Sequence, residues 1–181
     1  MLYNTKQSYT PALEPYEFNR HVLIIDTETV GSGPLIEVVE IAIGDFEGQI
    51  IYHSLVHPVF NSLPRTSKHQ RYDKAEFDGA PDWPAIWPQL HSMIEDKLLI
   101  AYNAAFDRRA IAAMCARYRH TSPERGWRCA MQLARHAIGT KRSPTLEEAC
   151  AYYGLEGGTH RASRDVEATA RLLKKLIPPD A

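Results

Sequence analysis

Three cysteines are few for a chain of 181 residues, and Cys115, Cys129 and Cys150 form no CxxC pair. An odd count without that spacing excludes a disulfide framework and a zinc-thiolate cluster, leaving reduced thiols in a core. No run approaches the ~20 apolar residues that a membrane span requires. The N-terminus also lacks a basic stretch followed by an apolar one and a cleavage site. A soluble, cytoplasmic protein is therefore expected, with no membrane partner. Internal repeats and low-complexity tracts are missing as well.

Excess positive charge is lacking too: 21 Lys and Arg against 22 Asp and Glu give a formal net charge of -1. That excludes a protein that coats nucleic acid by charge alone, because phosphate neutralisation dominates such binding. Any nucleic-acid contact must be local. Basic residues do concentrate between Arg117 and Arg142, where Glu124 is the one acidic residue. Such a segment is either a guide for a phosphate backbone or an ordinary solvated helix face.

With 44% apolar residues the chain can bury a core of its own. Residues 1–20 mix polar positions with Pro11, Pro15, Tyr3, Tyr9, Tyr16 and Phe18 without a period, so they read as an arm. Residues 21–181 read as a single domain. Val22 to Ile25 is a short apolar run suited to a strand buried on both faces. Leu35–Ile43 and Gln49–Val56 read as two more strands, with Gly44, Asp45 and Gly48 between them as hairpin turn residues. Pro58 to Pro81 is polar and Pro-bearing, a long loop with at most short helical pieces.

Trp83–Ile94 is expected to be helical, and Leu98–Tyr102 a strand that feeds a helix marked by Phe106, Ala110, Ile111, Met114 and Tyr118. A fifth strand is expected at Trp127–Met131, followed by helices at Leu133–Ile138 and at Thr145–Tyr153, the latter opened by Ser143-Pro144 and closed by Gly154. The last helix takes Ser163 as its N-cap, places Val166, Ala170, Leu173 and Ile177 on one face, and stops at Pro178-Pro179. Strands first, then strands alternating with helices, predict an α/β fold with a mixed sheet.

Ile25-Asp26-Thr27-Glu28-Thr29 ends the first strand with two carboxylates two residues apart. Strand period puts both on one face, where their repulsion would be relieved by a cation. Oxygen-only ligands favour Mg²⁺ or Mn²⁺. An isolated DxE, however, is more often two solvated side chains. Asp107 and Asp165 each fall in the first turn of a helix, where a lone carboxylate complements the helix dipole. His160 lies in the glycine-bearing loop Gly157-Gly158-Thr159-His160-Arg161, and an imidazole titrating near neutrality can take a proton from water. Each alone has a bland explanation; the combination is what points to chemistry.

In order and spacing, these residues resemble the DEDDh exonucleases, the DnaQ-like proofreading family. Asp26-Thr27-Glu28-Thr29 is similar to its first motif, Asn103-Ala104-Ala105-Phe106-Asp107 to its second, and His160-Arg161-Ala162-Ser163-Arg164-Asp165 to its third. Relatives with a mobile tyrosine carry it four positions before the last Asp, where this chain has Arg161, so the histidine branch is favoured. Val38 to Ala42 and Thr145 to Ala149 also look familial and read as structural supports. Cys129-Ala130-Met131 and the loop from Asn61 to Asp78 depart from the pattern, which bears on substrate preference.

The resemblance implies a ribonuclease H-like fold: a five-stranded mixed sheet, its first three strands antiparallel and the rest parallel, flanked by helices. It implies two Mg²⁺ or Mn²⁺ ions. Asp26 would bridge them, Glu28 and Asp165 would complete the shell of the one holding the water, and Asp107 would hold the second through waters. His160 would be the general base. Thr27, Thr29, Asn103 and Phe106 would meet the terminal nucleotide of a strand with a free 3′ end, Phe106 being equally placed for the core. The expected activity is 3′-to-5′ release of nucleoside 5′-monophosphates, with DNA ahead of RNA. A homodimer or a polymerase partner is compatible. The alternatives are a non-catalytic polymerase-accessory subunit that retains the fold, and an endonuclease or transposase-type relative that cuts internally.

Overall fold

In a computed structural model the described residues are 21–62 and 72–177. The arm expected at residues 1–20, the middle of the long loop and the Pro178-Pro179 stop lie outside them.

Five strands make one sheet: β1 Val22–Val30, β2 Glu37–Gly44, β3 Ile50–Leu55, β4 Leu98–Ala101 and β5 Gly126–Cys129. Their spatial order is β3-β2-β1-β4-β5, with β1 antiparallel to β2, β2 antiparallel to β3, and β4 parallel to both β1 and β5. This is the expected mixed sheet. The helices are α1 Trp83–Ile94, α2 Ala104–Tyr118, α3 Ala130–Ile138, α4 Leu146–Tyr152 and α5 Ala162–Leu176.

Alternation along β1 sorts the core into two layers. Leu23 and Ile25 join Ile41, Ile43 and Leu99 under α1 and α2, while Val22 and Ile24 join Ala42 and Ile100 under α4 and α5. Period two explains the split, because successive strand side chains leave opposite faces. Buried residues on both sides also explain why β2 carries no exposed position at all. On α1 the buried set Trp83, Ile86, Trp87, Leu90 and Ile94 follows helical spacing. The Asp82 side chain caps that helix by accepting from the Ala85 amide at 3.0 Å.

Several boundaries differ from the sequence reading: β1 runs past Ile25 to Val30, and β2 begins at Glu37 and not at Leu35. β5 stops at Cys129, and α3 begins at Ala130 instead of Leu133, because the Met131 amide turns to the Tyr102 carbonyl at 2.9 Å. α4 is opened by Thr145, which forms a capping box with Glu148, rather than by Ser143-Pro144. Ser163 does not cap α5: it lies inside the helix, and the cap position belongs to Arg161, which makes no side-chain cap bond. A local cap is dispensable there, since Glu40 of β2 accepts the Ala162 amide from across the molecule at 3.3 Å.

β1 and β2 share an irregularity beside the chemistry. Glu28 pairs with Glu40 and Thr29 with Val38, which leaves Val39 as a bulge. Val39 packs separately, against Tyr72 and Phe77. Such bulges re-aim side chains and are frequent next to active sites.

Candidate active site

The parity that builds the core also builds the site. Asp26 and Glu28 share the face of Val22 and Ile24, which is covered by α5, and α5 presents Asp165 from its first turn. Thr27 points to the other face, toward α2, and meets Asp107 there. Its backbone amide and its hydroxyl both donate to Asp107 Oδ1, at 2.9 and 2.8 Å. Helices entering from both faces thus deliver one carboxylate each to the end of the central strand.

Asp26, Glu28, Asp107, His160 and Asp165 line one cleft of about 590 Å³, with Asn103 and Phe106 on its wall. Ligand atoms of Glu28, His160 and Asp165 lie within 4.8 Å of one another. The five residues expected to converge are therefore together. Burial raises the Asp26 carboxyl well above the usual range, and Asp107, Asp165 and Glu28 push it further. Burial raises Asp107 to about 7, although both Thr27 bonds oppose the rise. Asp165 is also raised by burial, against the Thr159 amide that donates to its Oδ1 at 2.8 Å.

Two glycines allow that last approach. A Cβ on Gly158 would sit 2.2 Å from Asp165 Oδ1, and one on Gly157 would sit 3.0 Å from Glu147 Cα. The loop can lie this close to the Asp165 carboxylate at Gly158, and to Glu147 at Gly157, because both side chains are missing. His160, the next residue but one, adopts a left-handed φ of 57°.

The remaining candidates are placed differently from one another. Thr27, expected to meet the substrate, also lines the cleft, but its side chain is buried and its hydroxyl donates to Asp107. Thr29 is partly exposed but does not line the cleft. Of the Arg-rich segment, Arg117 is turned inward to the Pro34 and Ile36 carbonyls and to Glu37, and Arg142 pairs with Glu148.

One cleft residue escapes a reading of the sequence. Glu147 in the first turn of α4 places Oε1 3.7 Å from His160 Nε2. With it, the described lining holds five carboxylates and one imidazole but neither lysine nor arginine. So much negative charge without a protein cation fits a site for hard divalent cations and oxygen ligands.

A mixed sheet of this topology, with carboxylates gathered at the end of its central strand, defines a ribonuclease H-like hydrolytic nuclease. A family model described as exonuclease, RNase_T, matches residues 23–173, and the chain belongs to this exonuclease family. Exonuclease X, solved in complex with 5′ overhanging duplex DNA, is 28% identical with a TM-score of 0.63, over 86% of this chain and 90% of that one. The nuclease domain of 3′hExo, a DEDDh member bound to rAMP, superposes with a TM-score of 0.69 at 16% identity, over 85% of this chain and 90% of its own, and supports the fold. The uncharacterized exonuclease CP81 of Escherichia phage 186 is 30% identical over 85% of this chain and 87% of its own length.

Other relatives are much longer. Protein MT2247 of Mycobacterium tuberculosis (strain CDC 1551 / Oshkosh), whose name couples exonuclease with endonuclease, is 27% identical over 94% of this chain, which spans 28% of its length. The chain spans 12% of a DNA polymerase III PolC-type of Thermotoga petrophila, to which it is 26% identical over 88% of its own length.

Proposed function

We propose that this exonuclease removes nucleotides from the 3′ end of a nucleic acid, DNA ahead of RNA, releasing nucleoside 5′-monophosphates. The observation that carries the reading is the convergence of Asp26, Glu28, Asp107, Asp165 and His160 on one cleft with neither lysine nor arginine in its described lining. The 28%-identical neighbour, Exonuclease X, was solved on duplex DNA, which supports the choice of DNA.

Asp26, Glu28, Asp107 and Asp165 would together hold two Mg²⁺ or Mn²⁺ ions in this cleft. When bound, such ions clamp the phosphate and offset the charge it gathers during in-line displacement. His160, half-exposed at the cleft mouth, takes the proton of the attacking water. Glu147 faces the imidazole from α4, its Oε1 3.7 Å from His160 Nε2. Thr27 keeps Asp107 in place. Asn103 and Phe106 form the wall against the terminal nucleotide, where an aromatic face accepts any base.

The PolC-type relative makes tethering to a polymerase the second reading, with the same site acting as an editor. No helix among the described residues is long and apolar enough to cross a membrane, which accords with the proposed cytoplasmic site of action.

The test uses 5′-labelled linear single-stranded DNA beside a closed circle of the same sequence, with Mg²⁺. A ladder that shortens from the 3′ end and an intact circle are expected. A cut circle would instead assign the cleft to an endonuclease.

A further inference from the structure

Glu40 is a fully buried carboxylate in the middle of β2, opposite Glu28 in the β1 register. Four donors converge on it: His53 Nε2 at 2.7 Å, the Tyr72 hydroxyl, Arg161 Nε at 3.3 Å and the Ala162 amide at 3.3 Å. Burial works against its charge, but these donors hold its carboxyl below the usual carboxylate range. Burying an ion carries a large desolvation cost, and well-packed apolar residues often replace buried pairs without loss of stability. A role beyond folding would account for a charge at this position.

Two of the four donors belong to the residues that directly follow His160. Arg161 is fixed further by its guanidinium lying 4.7 Å over the Tyr72 ring and by Nη2 donating to Glu76 at 3.0 Å. His160 itself is in the left-handed region, which a residue with a side chain keeps only when its surroundings over-determine it. On its other side the Thr159 amide is held by Asp165. The turn is thus clamped at both ends, and Glu40 supplies the downstream clamp.

We infer that Glu40 is a positioning residue for the exonuclease reaction, gripping Arg161 and the Ala162 amide so that the turn presents the His160 imidazole to the cleft. This rests on the reading of His160 as the base. Glu40 touches neither substrate nor reacting atoms; it acts through His160.

The experiment compares wild type, Glu40→Gln, His160→Ala and the double variant in steady-state cleavage of 5′-labelled single-stranded DNA. Mn²⁺ binding is followed by calorimetry and melting by circular dichroism. Glu40→Gln should lower kcat about 10- to 100-fold, the range typical of residues that orient a reacting group. KM and Mn²⁺ affinity should stay within about threefold. In the His160→Ala background the same change should cost less than about twofold more, because both variants remove one device.

Should Glu40→Gln not fold, Arg161→Lys is read in its place, since lysine keeps the charge but not the planar fork. The same pattern is expected of it. A loss that multiplies in full onto His160→Ala, a rise in KM with unchanged kcat, or failure of both variants to fold would make Glu40 structural and overturn the proposal. A His160→Ala enzyme as fast as wild type, or an inactive wild type, would overturn the reading of the base instead.

Discussion

Thr27 gives both its backbone amide and its hydroxyl to one oxygen of Asp107, from the face of β1 opposite to that of Asp26 and Glu28. The central strand therefore uses three consecutive residues on the site, two as carboxylates and one as a holder. Thr27→Val keeps the β-branched shape and the amide but removes the hydroxyl. A hydrogen bond to a charged group contributes ~1.5–3 kcal/mol. The variant is expected to bind Mn²⁺ and turn over at least about threefold less well, with Thr27→Ser close to wild type. Calorimetry and initial rates check this.

Burial raises the Asp26 carboxyl, and Asp107, Asp165, Glu28 and Glu40 around it add to the rise. Without a cation that crowding destabilises the fold, so Asp26→Asn should melt about 2 to 8 °C above wild type in chelator, as ~1–2 kcal/mol implies for a chain of this size. The same variant should lose activity by about a thousandfold or more. Mn²⁺ should raise the melting temperature of wild type and much less that of the variant, because a ligand stabilises only the state that binds it. A lower melting temperature for Asp26→Asn in chelator would argue against the crowding.

The pH dependence of stability follows from Asp107. Its folded-state carboxyl is raised to about 7, against ~3.9 for an unperturbed Asp. Between those values the folded state holds more proton than the unfolded one, so stability falls as pH rises. The metal-free protein should lose melting temperature from about pH 4 to pH 7, and Asp107→Asn should flatten part of that slope. Parallel melting curves in chelator at stepped pH would show it. Mn²⁺ should reverse the trend above pH 7, where the carboxylates are free to bind it.

Gly158 tests the close approach of the loop to Asp165. Its φ is not in the left-handed region, so alanine can adopt the backbone, and the obstacles are Asp165 Oδ1, 2.2 Å from the Cβ, and Leu146 Cδ2, 3.0 Å from it. Gly158→Ala should displace that carboxylate and lower kcat by about 100-fold while the chain remains folded. Rates near wild type would mean that Asp165 has room to give.

The carboxylates are legible in the sequence because period-two strands and first-turn helix positions have fixed directions, and the order of the three motifs removes the ambiguity of each. The same alternation places Thr27 on the far face, but its partner is invisible without knowing that α2 lies there. Ser163 has the residue type of a cap without being one, because type marks caps only when the partner is local. The donor requirement of α5 is met by Glu40, 122 residues away. Glu40 and Glu147 fall in the two stretches, Val38 to Ala42 and Thr145 to Ala149, that read in the sequence as structural supports and not as chemistry. Their roles depend on tertiary neighbours, which neither spacing nor propensity encodes.

Whether the converging carboxylates grip catalytic metal is decided by Mn²⁺ titration of metal-free protein, followed by calorimetry and by cleavage of 5′-labelled single-stranded DNA in the same samples, for wild type and Asp26→Asn. Binding should saturate near two ions per chain, and 3′-end shortening should rise with occupancy. Chelator should abolish the shortening, and Asp26→Asn should lose both binding and cleavage. Cleavage that persists in chelator, or that Asp26→Asn performs at full rate, would refute a metal-dependent site built on Asp26.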